Sequence, residues 1–95
     1  MTYVTVSTWA YDPALDEVDL IRSAEENLAQ LKAMGAVAGH LVRTGPGQGM
    51  IIMIYPDVGT WNRVRDMVER IRSQTNPQTG GTLTAAYDGT ALVSV

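Results

Sequence analysis

The chain carries no cysteine and a single histidine in its 95 residues. Without thiols there is no disulfide staple, no thiolate nucleophile and no cysteine metal site, and one histidine does not build a His-rich zinc centre. Positive charge is also scarce. Seven Lys and Arg stand against ten Asp and Glu, a net charge of −3. Such a chain repels phosphate backbones and anionic lipid, so neither nucleic acid nor a membrane is expected as a partner. The longest apolar run, Met50 to Tyr55, falls far short of the ~20 residues that cross a bilayer. The N-terminus, Met-Thr-Tyr-Val-Thr-Val, has neither the basic nor the apolar region of a signal peptide, and a cytoplasmic location is expected.

What remains is globular in character, with 45% hydrophobic and 18% charged residues. The length suits one domain spanning residues 1–95. A chain of this size buries only about two-thirds of its unfolded surface, so it gains by oligomerising.

Thr2 to Tyr11 is rich in Thr, Val, Tyr and Trp, residue types that suit a pleated surface. Val4 and Val6 point one way along it, and Tyr3, Thr5, Ser7, Trp9 and Tyr11 the other. Asp12-Pro13 ends the strand. Asp16 then serves as a helix N-cap, with Glu17 and Asp19 at the positive end of the dipole. Val18, Ile21, Ala24, Leu28, Leu31 and Met34 give that helix one apolar stripe, and Gly35 fits the left-handed position that ends it.

Ala36 to Thr44 returns to strand composition, and Gly45-Pro46-Gly47-Gln48-Gly49 turns it into the strand Met50 to Tyr55. Thr60 is placed to cap a second helix with the stripe Trp61, Val64, Met67, Val68 and Ile71. Its Arg63, Arg65, Arg70 and Arg72 interleave with Asp66 and Glu69 and read as a salt-bridged solvent face, Asp66 with Arg70 above all. A polar loop over Asn76 to Gly81 follows. Thr82 to Tyr87 reads as a strand, Asp88-Gly89 as a tight turn, and Thr90 to Val95 as a short extended tail.

The order is strand, helix, strand, strand, helix, strand: an α+β, ferredoxin-like βαββαβ arrangement. Right-handed crossovers put both helices on one face of an antiparallel sheet. The third strand is apolar on both sides, with Met50, Ile52 and Ile54 on one and Ile51, Met53 and Tyr55 on the other. A half-exposed strand alternates apolar with polar, so the second face needs a cover. A second copy of the chain supplies one, and a homodimer is expected.

At this point the chain resembles the dimeric α/β-barrel superfamily over nearly its whole length. The residues that carry the resemblance are Met50-Ile-Ile-Met-Ile-Tyr-Pro-Asp57 followed by Thr60-Trp61. There a hydrophobic third strand ends in aromatic-x-Asp before an aromatic-bearing helix, similar to the antibiotic-biosynthesis-monooxygenase branch. The superfamily includes cofactor-free oxygenases of phenolic substrates, haem-degrading enzymes, lactone isomerases and small-molecule sensing modules. Two departures stand out. Met53 occupies the place where the branch often has a glutamate, and Val64 the place where it often has a histidine. Neither moves a proton or ligates haem iron through nitrogen.

His40 is the one side chain that ordinarily titrates near neutrality, on the side of its strand shared with Ala38 and Val42. It is a candidate acid–base group; a hydrogen-bonded or interface histidine is the plainer alternative. Trp9, Tyr11, Tyr55 and Trp61 fall at strand ends or the adjoining helix start, where they can wall a pocket for a flat ligand with Tyr hydroxyls as handles. Core or interface packing is the alternative for each. Arg43 offers a cation for a carboxylate, and Asn62 neighbours Trp61, yet both suit solvent equally well.

Two functional readings follow. One is a cofactor-independent oxygenase or isomerase acting on a small aromatic or polyketide-like compound, with His40 or Tyr55 as the proton acceptor. The other is a non-catalytic small-molecule-binding or structural dimer. No metal ligand cluster or dinucleotide fingerprint is present, so no cofactor is expected.

Overall fold

The computed structural model describes residues 1–74 and 81–95. Its elements run β1 (Tyr3–Ala10), α1 (Glu17–Ala33), β2 (Ala38–Gly45), β3 (Gln48–Tyr55), α2 (Val58–Gln74) and β4 (Thr82–Thr90). The strands form one antiparallel sheet in the order β2-β3-β1-β4. This is the ferredoxin-like α+β fold. Most of the polar loop expected over Asn76 to Gly81 lies outside the described residues; Gly81 alone is described.

Local chemistry sets the helix ends. Asp16 caps α1, its Oδ1 accepting from the Val18 amide at 3.0 Å. Gly35, at φ +125°, follows the helix as expected. For α2 the cap is Asp57 and not Thr60. The Asp57 Oδ1 accepts from both the Thr60 amide (2.7 Å) and the Thr60 hydroxyl (2.9 Å). Thr60 lies inside the first turn, where its side chain is the donor.

The apolar stripe of α1 is rotated from the expected one. Val18 is 55% exposed and Ile21 46%, while Ala24 and Leu31 are buried and Leu20, Asn27 and Leu28 face the sheet beside them. At 100° per residue, Val18 points about 140° away from the centre of the packed face. The stripe of α2 is as expected, with Trp61, Val64 and Val68 buried. Together with Leu31, Ala36, Met53 and Tyr55 they form the core between helices and sheet.

Asp88-Gly89 is not a turn. β4 runs straight through it, pairing Asp88 with Thr5, Gly89 with Val4 and Thr90 with Tyr3. The Tyr3 hydroxyl donates to the Asp88 carboxylate across the pair, and the Ala91 amide extends the ladder to the Thr2 carbonyl at 2.8 Å. Pairing along the whole of β1 outweighs the local turn tendency of the dipeptide. The register instead slips between Thr8 and Trp9, where Thr84 is the extra residue and its hydroxyl meets that of Thr8 at 2.7 Å.

Register assigns the faces. Tyr3, Thr5, Ser7 and Trp9 pair with Tyr55, Met53, Ile51 and Gly49, and these residues lie under the helices with the core. Val4, Val6 and Thr8 pair with Ile54, Ile52 and Met50 on the opposite face, joined by Ala38, His40 and Val42 of β2 and by Tyr87 of β4. Nothing in the chain's described residues covers that second face, and Tyr87 there is 67% exposed.

Candidate functional site

A cavity of about 80 Å³ lies between the sheet and the two helices. β1 contributes Thr5, Ser7 and Trp9 to its wall, with Tyr11 just beyond the strand; β3 contributes Gly49, Ile51, Met53 and Tyr55. From α1 come Leu20, Ser23, Ala24, Asn27, Leu28 and Leu31, and from α2 Val68, Ile71 and Arg72. An apolar cavity of roughly 150 Å³ takes up benzene. A ring therefore enters this one by displacing a wall or by projecting through the mouth. The wall able to yield is Met53, an unbranched thioether. It occupies space left by Gly39, where an added Cβ would lie 2.6 Å from the Met53 sulfur.

Tyr55 is the distinctive group. Its residue is 0% exposed, yet its hydroxyl has no hydrogen-bond partner among the described residues. Burial without a partner raises the pKa of the phenol, an effect that the positive charge of Arg72 partly offsets. Tyr55 is therefore a protonated hydrogen-bond donor at neutral pH, not a base. Buried polar groups are nearly always paired, and this one faces a cavity.

Trp61 holds Tyr55 in place from behind. Its ring lies 5.5 Å from that of Tyr55 at an interplanar angle of 51°, and stacks on Tyr3 at 6.4 Å. Trp61 is thus packed in the core and is not among the cavity's walls. Trp9 is a wall, and its indole N–H is already donated to the Ser7 hydroxyl at 2.9 Å.

A second depression, of about 130 Å³, adjoins the first near the start of α1. Tyr11 lines both. Arg43 and Glu17 form an ion pair there, with Arg43 Nε donating to Glu17 Oε1 at 2.8 Å. The guanidinium hydrogen bond pulls the Glu17 carboxyl below its ordinary range. This depression has the larger volume, but its polar groups are already paired and Arg43 is largely exposed. The unmatched donor sits in the first.

The expected site residues thus separate. Tyr55, Trp9 and Tyr11 meet at the cavity, Trp61 supports Tyr55 from the core, and Arg43 lies in the adjoining depression. His40 pairs with Ile52 on the uncovered sheet face and is exposed, away from the cavity. Asn62 is exposed on α2 and does not line it.

Five polar walls escaped the sequence reading: Thr5, Ser7, Ser23, Asn27 and Arg72. Arg72 corrects the expectation of a solvated basic face. Its side chain is only 15% exposed, and its ion-pair partner is Glu69, at 3.6 Å. Its position gave the signal, four residues after Val68 and eight after Val64, on the buried stripe. Among the described residues no group of three or more His, Cys, Asp or Glu is placed to hold a metal ion, and no helix is long and apolar enough to cross a membrane.

No family model matches the chain, and no curated protein does. Solved structures do. Rv0793 from Mycobacterium tuberculosis superposes with a TM-score of 0.74 at 12% identity, covering 99% of this chain and 98% of that one. A dimeric ferredoxin-like protein from an uncultured marine organism gives 0.69 at 15% identity, covering 99% and 98%. A "putative antibiotic biosynthesis monooxygenase" from Bordetella bronchiseptica gives 0.68 at 10% identity, covering 97% and 98%. At these identities the likeness is one of fold, and it agrees with the resemblance drawn from the third strand.

Proposed function

We propose that the chain forms a homodimer and that each subunit takes up a small aromatic or polyketide-like compound in the cavity beneath its helices. The buried, unpartnered Tyr55 hydroxyl carries this reading. A ligand oxygen is the partner that it lacks, and the apolar walls from Leu28 to Val68 suit the ring that bears that oxygen. The dimer follows from the valines and isoleucines of the uncovered face, and the similar fold from an uncultured marine organism is described as dimeric.

As an enzyme, the protein is a cofactor-independent oxygenase or isomerase. Tyr55 donates its hydrogen bond to a carbonyl or phenol oxygen as negative charge grows there, in a water-poor site where such a donor counts most. The compound then binds already ionised or gives its proton to water, because the titratable groups among the described walls are Tyr11, Tyr55 and Arg72. That lack of a neutral-pH base among the described walls favours a second reading, a binding module that holds the compound without turning it over.

A thermal-shift screen of wild type and Tyr55→Phe against small phenols, quinones and polyketide-like lactones tests the site. Ligands that raise the melting temperature of wild type and raise that of Tyr55→Phe less support it. A panel with no shift in either protein rejects it. For each binder, product masses after incubation under air and under argon separate the readings: oxygen-dependent product marks the oxygenase, oxygen-independent product the isomerase, and unchanged compound the binding module.

A further inference from the structure

Among the described residues, the cavity's walls carry one full charge and nothing of the opposite sign. Arg72 is its only permanently ionised wall, and no Asp or Glu is among the described residues that line it. The chain as a whole is acidic, at −3, so a cavity lined by a lone cation runs against the composition. The cation is also poorly neutralised. Its partner Glu69 is 68% exposed and stands off at 3.6 Å, well beyond the roughly 2.7–2.9 Å of a charge-assisted hydrogen bond. A guanidinium group withdrawn this far from solvent ordinarily has a closer partner.

The cavity is also lined by the Tyr55 hydroxyl, which is buried and has no partner among the described residues. Arg72 is near enough for its charge to act on that phenol. A donor without an acceptor and a cation without a close anion thus share one small cavity, one from β3 and the other from α2. Apolar side chains from both helices make up much of the rest.

We propose that the compound bound here is a ring carboxylate, its carboxylate held between the Tyr55 hydroxyl and the Arg72 guanidinium and its ring against Leu28, Met53 and Val68. This rests on the reading of the cavity as a small-molecule site and narrows it to one chemical class. A carboxylate has two acceptor oxygens and so satisfies both groups at once. Glu69 is then the surface counter-ion that Arg72 exchanges for the ligand.

Calorimetric titration with benzoate, its neutral isostere benzamide and ringless acetate tests the assignment. Wild type is expected to bind benzoate at least about tenfold more tightly than either of the others. Arg72→Gln should abolish the preference over benzamide. Glu69→Gln alters an exposed residue and leaves the fold alone; by removing the competing carboxylate, it should tighten benzoate a few-fold and leave benzamide unchanged. Benzamide binding as well as benzoate, with Glu69→Gln without effect, overturns the carboxylate assignment while the small-molecule site stands. Acetate matching benzoate overturns the ring. If none of the three binds, the carboxylate assignment falls, and the phenol, quinone and lactone screen decides the site by itself.

Discussion

The two faces of the sheet invert the usual pattern of a half-covered β-layer. Under the helices, β1 presents Thr5 and Ser7, both buried, and β3 presents an unpartnered Tyr55 hydroxyl. On the uncovered side, β1 presents Val4 and Val6, paired with Ile54 and Ile52. On β1, Thr5 and Ser7 are thus inside and the branched apolar Val4 and Val6 outside. A sheet meant to face water would reverse this. The arrangement supports the two interiors proposed above: a helix-covered one with polar handles for a ligand, and a sheet face for a second subunit to complete.

Substitutions on the two faces should break different things. The largest effect is expected from Trp61→Ala under the helices, which removes the ring packed on Tyr55 and Tyr3. A loss of about 3–5 kcal/mol is typical for such a truncation, and urea unfolding at fixed protein concentration measures it. Ile52→Lys, at the centre of the uncovered face, should leave the helix-side core intact and weaken the dimer at least about a hundredfold. Light scattering across a dilution series should then find monomers where wild type gives dimers. If Ile52→Lys leaves the mass unchanged, the face is not the interface.

Smaller effects sharpen the comparison. Tyr55→Phe removes an unmatched hydroxyl and keeps the ring, so the ligand-free protein should gain on the order of 1 kcal/mol. The smallest effect is a pH dependence at the α2 N-terminus. Two hydrogen bonds from Thr60 hold the Asp57 carboxyl below its ordinary range. A carboxyl lowered on folding stabilises the fold above its unfolded value, about 3.9, and that contribution disappears as pH falls through the lower folded value. Melting temperatures between pH 5 and pH 2, a window set around those values, should therefore fall more steeply for wild type than for Asp57→Asn.

Much of this was legible in the chain itself. The alternation of β1, the Pro-Gly turn between β2 and β3, and the two-sided apolar β3 carried the topology and the uncovered face. Two errors were of one kind, local signals settled by distant partners. Asp88-Gly89 has the chemistry of a turn, but continuous pairing with β1 keeps it extended. Val18 and Ile21 match a helical stripe, but the sheet meets α1 nearer Leu20 and Ala24. The site divided in the same way. Tyr55, Trp9 and Tyr11 could be placed by strand parity, whereas parity alone did not say which face the helices cover, and so His40 looked as promising as Tyr55. Arg72 was hidden among the other arginines of α2 because charge, rather than position on the stripe, was the more visible feature.

If the Tyr55 hydroxyl is kept unpaired for a ligand, its removal has different consequences in the empty and the filled protein. Denaturant unfolding of wild type and Tyr55→Phe, each with and without saturating benzoate, tests this directly. The prediction is a gain in the empty protein and a loss in the ligand's effect: Tyr55→Phe more stable than wild type when empty, and less stabilised than wild type by the ligand. If Tyr55→Phe is less stable when empty and gains as much from benzoate as wild type does, the hydroxyl serves the fold and not a ligand.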